Sequence, residues 1–314
     1  MARGSTISIS NNYIKEKIEE KAEELGFFKI GFAKSEVEDS AIYNYSKWIE
    51  SGYHSEMKWM ERNNEKRANP SLILENCKSI IVLAYSYNNN IVYSTDKNKI
   101  SRYAFGEDYH DVVLAKLKLI ESTITEIAPE AQTKSYTDTG AILEKYWAER
   151  AGIGWQGKNS LIINKDYGSY FFIGIILTTL EFDESEKSKN LCGKCNKCIT
   201  KCPTKAIVED KVVNSEKCIS YWTIESKERE FPENISSNLN NWAFGCDICQ
   251  EVCPWNKKAI KINKSEFLPK NGTNLDELSI NRMSDEEFRL AFNGTPIKRR
   301  KLKGIVKNLS YLNK

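Results

Sequence analysis

Eight of the nine cysteines in this 314-residue sequence stand at spacings that bind metal clusters. Cys192, Cys195, Cys198 and Cys202 follow C-x2-C-x2-C-x3-C, and Pro203 comes next. In such a run three thiolates hold corners of one iron–sulfur cubane and the fourth ligates a second cluster. A broken second run, Cys246-x2-Cys249-x3-Cys253 followed by Pro254, lacks its leading cysteine, and Cys218 upstream can supply it. Crossing the runs predicts two [4Fe–4S] clusters. The first takes Cys192, Cys195, Cys198 and Cys253; the second takes Cys202, Cys218, Cys246 and Cys249. Paired zinc sites also use C-x2-C steps, but they need neither a third cysteine at the next step nor a closing proline. Cys77 stands alone near an apolar strand and reads as a small buried hydrophobe.

Other candidates carry weaker signals. Gly152-Ile-Gly154-Trp-Gln-Gly157 matches G-x-G-x-x-G, and with Lys158 it approaches a phosphate-binding loop. Both readings need a strand before the glycines and a helix after them. The expected order here is the reverse, so the glycines read as a tight helix-to-strand turn that admits a close neighbour. Asp108-Tyr-His110 opens like a D-x-H cobalamin-ligand motif, but Val113 stands where its glycine should be, and His110 reads as an ordinary helix-start histidine. With His54 as the other histidine of the chain, histidine catalysis is not expected. Asp138, in Tyr136-Thr-Asp-Thr-Gly140, reads from spacing as a helix N-cap. A catalytic acid there would need a desolvated pocket to hold its proton.

The elements that must position these residues alternate. Ile14, Ile18, Ala22 and Leu25 mark a helix over Tyr13–Leu25 that stops at Gly26. Strands are expected over Phe27–Ala33, Ser79–Tyr87, Ser160–Asn164 and Tyr170–Thr179, and helices over Asp108–Ile127 and Ala141–Ala151. That alternation predicts an α/β domain over residues 1–183. A ferredoxin-like two-cluster domain follows over 184–258, and a polar, basic segment over 259–314. The composition, 40% hydrophobic and 28% charged, is that of a globular protein. The N-terminus has no apolar secretory core, and the longest apolar run, Tyr170–Leu180, is short of the ~20 residues a membrane helix needs. A cytoplasmic protein without membrane attachment is therefore expected, where cysteines serve metal or redox chemistry. From Lys298 to Lys314 there are seven Lys or Arg and no acid. Removing them from the 46 basic residues leaves 39 against 43 acidic ones, so a +3 chain has a mildly acidic body. Charge alone allows either a polyanion-binding arm or a solvated, frayed terminus.

Several stretches together resemble the epoxyqueuosine reductase family over nearly the whole chain. They are Ser101–His110, Thr137–Glu144, Arg150–Asn159, the cysteine run, Cys218–Glu225, Gly245–Gln250 and Gly294–Arg300. The resemblance implies a cobalamin held by the α/β domain beside the two clusters. It implies as substrate a tRNA bearing epoxyqueuosine at the wobble position, reduced to queuosine with loss of water in the last step of queuosine biosynthesis. Clusters pass electrons singly, whereas removing an epoxide oxygen takes two; cobalt can collect them and attack an epoxide carbon. By the same resemblance Asp138 is the proton donor. Arg62, Tyr103, Lys158, Asn159 and Ser160 become corrin contacts, and Lys298, Arg299, Arg300 and Lys303 grip phosphates of the anticodon stem. A monomer is expected, reduced by an electron donor that the sequence does not name. Two other readings share some of these features: a cobalamin-dependent reductive dehalogenase, and an iron–sulfur electron-transfer protein. The basic tail and the missing export signal weigh against the first, and the size of the domain ahead of Cys192 against the second.

Overall fold

A computed structural model describes residues 10–226 and 229–312; the readings that touch Met1–Ile9 and Lys314 lie outside the described residues. The strands in chain order are β1 (Lys29–Lys34), β2 (Ser79–Ser86), β3 (Lys99–Ile100), β4 (Thr133–Tyr136), β5 (Trp155–Gln156), β6 (Ile162–Ile163), β7 (Phe171–Thr178), β8 (Ile207–Glu209), β9 (Val212–Val213) and β10 (Trp242–Phe244).

The main sheet has the order β1-β2-β7-β4. Helices and strands alternate as expected, yet every pairing in this sheet is antiparallel. Strand β2, Ser-Ile-Ile-Val-Leu-Ala-Tyr-Ser, is buried along its whole length because both of its faces are covered. Side chains alternate across a strand, so Ile81, Leu83 and Tyr85 point one way and Ile80, Val82 and Ala84 the other. The first set packs on helix Asn11–Glu24, through Ile14, Ile18 and Ala22, and on helix Tyr109–Ile127, through Val113, Leu117, Ile120 and Ile124. The second set packs on Trp147, Ala148 and Ala151 around helix Glu144–Arg150. Full burial of each such aliphatic side chain contributes about 1.5–3 kcal/mol. Cys77 is buried in this second core, and burial pushes its thiol up to about 11, as suits an inert hydrophobe.

Three local expectations change. The helix expected from Ala141 begins at Glu144, with Leu143 as its cap. The chain from Thr137 to Leu143 is a loop instead, and Asp138 sits in it with a left-handed φ of 53°, so Asp138 caps no helix. The strand expected over Ser160–Asn164 shrinks to β6, paired with β5. The glycine turn does follow a helix and precede a strand, which rules out a phosphate loop. Its close neighbours are the chain itself: a side chain on Gly152 would strike the Glu186 carbonyl, and one on Gly154 the Ile163 carbonyl.

The basic tail is neither frayed nor free. Lys301–Leu312 is a helix that buries Ile305 and Leu309 in a core with Ile100, Phe105, Ala243 and Phe244. Its Asn308 side chain donates to the carbonyls of Thr223 (2.8 Å) and Ala243 (2.9 Å). That core rests on a pairing no local pattern announces: β3 lies parallel to β10, about 140 residues later in the chain. Among the described residues, no helix is long and apolar enough to cross a membrane.

Candidate active site

Cysteines of the two runs stand beside one another. Burial raises the Cys253 thiol, and neighbouring Cys192 and Cys195 add to the rise; burial raises Cys198 too, with Cys253 and Cys192 beside it. Buried Cys253 packs with Trp155, Ile163, Cys192 and Trp255, and the Trp155 indole donates to Cys192 Sγ at 3.4 Å. In the other group, burial raises Cys249, next to Cys218 and Cys202, and raises Cys246, next to Cys218 and Cys249. Cys218 reaches this group as the residue that opens helix Ile219–Ile224, whose Trp222 is fully buried and donates to the Glu216 carbonyl at 2.8 Å. Among the described residues all nine cysteines are free of disulfides.

Beside the second group opens a cavity of about 1690 Å³, larger than the roughly 300–1,000 Å³ of common small-molecule sites. Its lining includes Cys202, Cys218, Cys246 and Cys249, and none of the four cysteines of the first group. Asp138 projects from another wall. Its carboxylate is 63% exposed, but what it faces is the cavity. Tyr109 Oη donates to Asp138 Oδ2 at 2.5 Å, and His110 Nε2 lies 3.6 Å from the same oxygen. Tyr109 is held flat between Phe172, centroids 4.3 Å apart, and His110, 4.0 Å apart. Asp108 caps helix Tyr109–Ile127 and also bonds His110 Nδ1 at 2.7 Å, which fixes the imidazole. The Asp138 backbone N–H donates to Glu144 Oε1 at 2.6 Å.

These contacts sort the protons. Enclosure would raise Asp138, but hydrogen bonds from His110 and Tyr109 outweigh it and hold the carboxyl below its ordinary value. Enclosure would lower His110, but Asp108 and Asp138 outweigh it and raise the imidazole to about 9. Glu144 goes up to about 8, first through enclosure and then through the Asp138 charge. Near neutral pH Asp138 is thus a carboxylate flanked by two protonated groups, His110 and Glu144. His110 corrects the expectation of a bystander. Its spacing two residues after Asp108, at the head of a helix, was the available signal, and no sequence pattern shows that the Asp138 loop folds back onto it.

The remaining expected site residues divide. Arg62, Tyr103, Asn159 and Ser160 line the cavity. Lys158 does not; its ammonium pairs with Asp210 at 3.2 Å. Asn159 is buried and its side chain reaches Cys249, joining the cavity floor to the second cysteine group. Arg299 lines the cavity, pairs with Glu225 at 2.8 Å and lies over the Trp59 ring. Lys298 reaches Asn293 at 2.8 Å at the edge of a smaller hollow that shares Asp108 and Arg299 with the cavity. Arg300 is a correction: it is 5% exposed and spends its guanidinium on the Ser226 carbonyl and on Asn308, so it builds the fold.

Comparison with known proteins decides the family. A model described as epoxyqueuosine reductase QueG matches residues 67–139, and one described as a 4Fe-4S double cluster binding domain matches residues 191–256. The epoxyqueuosine reductase of Atelocyanobacterium thalassa is 40% identical over 301 residues, 94% of this chain and 97% of its own. The chain belongs to the epoxyqueuosine reductase family. The double-cluster match spans all eight cysteines, so the chain carries two [4Fe–4S] clusters. A crystal structure of an epoxyqueuosine reductase with a tRNA-Tyr epoxyqueuosine-modified stem loop is 32% identical with a TM-score of 0.89, covering 96% of this chain and 81% of that one. The Bacillus subtilis epoxyqueuosine reductase, solved with its aspartate-bearing catalytic loop swung out of the active site, is 31% identical with a TM-score of 0.85 and the same coverages.

Two outcomes follow from the cysteine and arginine placements. Anaerobically purified protein should hold about eight irons, and Cys253→Ser should lose the cluster built on Cys192 while keeping the one beside its own sequence neighbours. Iron analysis with electron paramagnetic resonance checks this, and loss of the second cluster alone would refute the crossing. Arg300→Ala should destabilise the fold by about 1–3 kcal/mol in denaturant titration, because it strands buried acceptors. The double change Lys298→Ala and Arg299→Ala should instead leave stability nearly unchanged and weaken binding to a tRNA stem loop, with a flatter salt dependence. Equal effects of both variants on stability would contradict this division.

Proposed function

We propose that this protein reduces epoxyqueuosine to queuosine at the wobble position of tRNA, in a cavity whose walls, which include the second cluster's cysteines and Asp138, would hold a cobalamin. The carrying observation is that Cys202, Cys218, Cys246 and Cys249 share the walls of one large cavity with the Asp138 loop. The residues fit the cofactor: the space is ample, its lining mixes aromatic and polar side chains, and a cluster borders it. Arg62, Tyr103, Asn159 and Ser160 would hold the corrin. When bound, the cofactor supplies a metal centre that collects electrons one at a time and attacks an epoxide carbon.

The chain supplies position and protons. Loss of the epoxide oxygen as water consumes two electrons and two protons. Asp138, ionised at rest, relays a proton from His110 through Oδ2 to the opened oxygen. Glu144, tied to the Asp138 backbone, is the second reserve, and Tyr109 keeps the carboxylate aimed. Support for the aspartate comes from the Bacillus subtilis relative and its catalytic loop. Lys298, Arg299 and Lys303 hold phosphates of the anticodon stem, as the stem-loop complex of a relative supports. This reading keeps residues 1–183, 184–258 and 259–314 as the cobalamin-binding α/β, ferredoxin-like cluster and tRNA-binding parts, in a cytoplasmic monomer.

Asp138→Asn tests the reading most directly. It keeps size and hydrogen-bonding reach but carries no transferable proton, so conversion of epoxyqueuosine tRNA should fall by about 10²–10⁴, with cofactors retained. Asp138 caps no helix, but its left-handed φ suits Asn better than Ala, so Asp138→Ala should be less stable than the Asn variant by about 1 kcal/mol. Mass spectrometry of tRNA nucleosides after reaction with excess reductant reads the rate, and near wild-type turnover in the Asn variant would falsify the role.

The pH profile provides a separate check. The acid forms of Glu144 and His110 are full below their raised values, about 8 and about 9, and are lost as pH rises through them. Conversion should therefore decline across pH 8–9, and His110→Gln should lower the rate below that range and reshape the decline. A rate that stays level to pH 10 in the wild type rules out both groups as proton reserves.

A further inference from the structure

Electrons must enter from somewhere other than the cavity. The Cys192 group takes no part in the cavity wall, which makes its cluster the outer relay and the Cys202 group the inner one. The chain around the outer cluster is unusual in charge. From Lys187 to Lys205 there are six lysines and no Asp or Glu. Lys194 and Lys197 stand immediately before Cys195 and Cys198, and Lys201 immediately before Cys202, where helix Lys197–Lys201 ends. Lys189, Lys194, Lys197, Lys201 and Lys205 are all exposed. Lys187 pairs with Glu38, whereas among the described residues none of these five forms an ion pair. Between Lys189 and Lys194 in the chain, Leu191 is 40% exposed next to Cys192, and Gly193 has open space where a side chain would stand.

Five exposed lysines without ion-pair partners, interspersed in the chain among the outer cysteines beside an exposed leucine and an open glycine, suit a partner that is negatively charged and comes close. We propose that this face docks a small acidic protein bearing a low-potential one-electron centre, either a flavin or an iron–sulfur cluster. The inference rests on the reading that the clusters feed the cavity. Its electron balance fits: each encounter oxidises the carrier by one electron and reduces the outer cluster by one. Two encounters supply the pair that, with two protons, turns the epoxide into an alkene and water. A carrier that must arrive and leave twice per turnover needs fast association and a weak interface. Electrostatic steering raises on-rates by about 10–10³, and electron-transfer contacts commonly bury less than about 1,200 Å². RNA is the rival for a basic surface. The wobble nucleotide, however, must reach Asp138 in the cavity, which Arg299 borders and the Cys192 group does not.

The test compares wild type loaded with iron and cobalamin with the triple changes Lys194→Gln, Lys197→Gln, Lys201→Gln and Lys194→Glu, Lys197→Glu, Lys201→Glu. The probe is a reduced bacterial flavodoxin, with anaerobic binding and stopped-flow cluster reduction measured at low and high salt. At low salt the Gln variant should bind and reduce about tenfold less well and the Glu variant still less, with all three converging at high salt. Iron content, tRNA stem-loop affinity and dithionite-driven conversion should stay at wild-type levels. Unchanged flavodoxin affinity in both variants overturns the docking face while leaving the function standing. A fall in stem-loop affinity with flavodoxin binding intact also overturns it and assigns the face to RNA. Wild-type protein that holds its iron and its cobalamin but converts nothing with dithionite overturns the functional reading, and this inference with it.

Discussion

The joint between the inner cysteine loop and the cavity rests on a buried carboxylate, Asp247, which stands between Cys246 and Cys249 in the chain. It is 1% exposed and accepts three hydrogen bonds: from Ser101 Oγ at 2.7 Å, from the Arg102 backbone N–H at 2.7 Å and from Gln250 Nε2 at 2.9 Å. Burial raises its carboxyl above the ordinary range, and these donors work against that rise. Two of the donors belong to the segment that also carries Tyr103, so one side chain ties the cysteine loop to the domain that forms the cavity. The network continues from Gln250 to Ser169 (2.8 Å) and from Ser169 to Asn256 (3.0 Å), just after Cys253. Gly245 completes the fit, since a side chain there would strike Ser101. A buried polar network with every member satisfied fixes geometry more firmly than an apolar contact, because each unmade bond carries a desolvation cost.

In the function proposed above, that fixed geometry would let electrons and protons approach the cavity along different walls. The electron wall is thiolate and apolar, with Trp155 and Trp255 packed edge to face (5.2 Å) beyond it at the outer group. The proton wall is a cluster of titratable groups whose environments push their pKa values apart: Asp138 down, Glu144 and His110 up. Such a split assigns roles, since a group held ionised can receive a proton from one held protonated. The apolar stack of Phe172, Tyr109 and His110 keeps that arrangement rigid.

Sequence reading reached the parts whose signal is local. The cysteine runs repeat short x2 and x3 steps, and thiols of each run have neighbours from the other, as a crossed assignment requires. The helix capped by Asp108 and the buried strand β2 were legible from their periods. Asp138 was harder, because a Thr-Asp-Thr-Gly stretch before a helix looks like a cap. Five further residues, Thr139 to Leu143, separate it from the helix, and that loop carries it to His110. The tail misled in a different way. Its charges invited a reading as an arm, while Leu302, Ile305, Val306, Leu309 and Leu312 recur at helical spacing and announce a docked face. Arg300 illustrates the cost of counting charge without burial. The parallel pairing of β3 with β10 and the role of Asp247 left no local trace, since both are contacts between distant stretches of chain.

Two bodies of positive charge remain, and they face different tasks. Arg299 and Lys298 lie at the mouths of the cavity and its neighbouring hollow, whereas the lysines between the outer cysteines surround a redox centre that the cavity does not touch. A net charge of +3 would barely attract any anion. At physiological salt, however, screening confines electrostatics to about 8 Å, so a partner senses only the patch it approaches. If the proposed RNA contacts and docking face both hold, one nearly neutral chain can sort an RNA backbone from an acidic protein, because each patch acts locally. What would separate the two is the shape behind the charge: a large cavity beside Arg299, and an exposed lysine-bearing segment away from it.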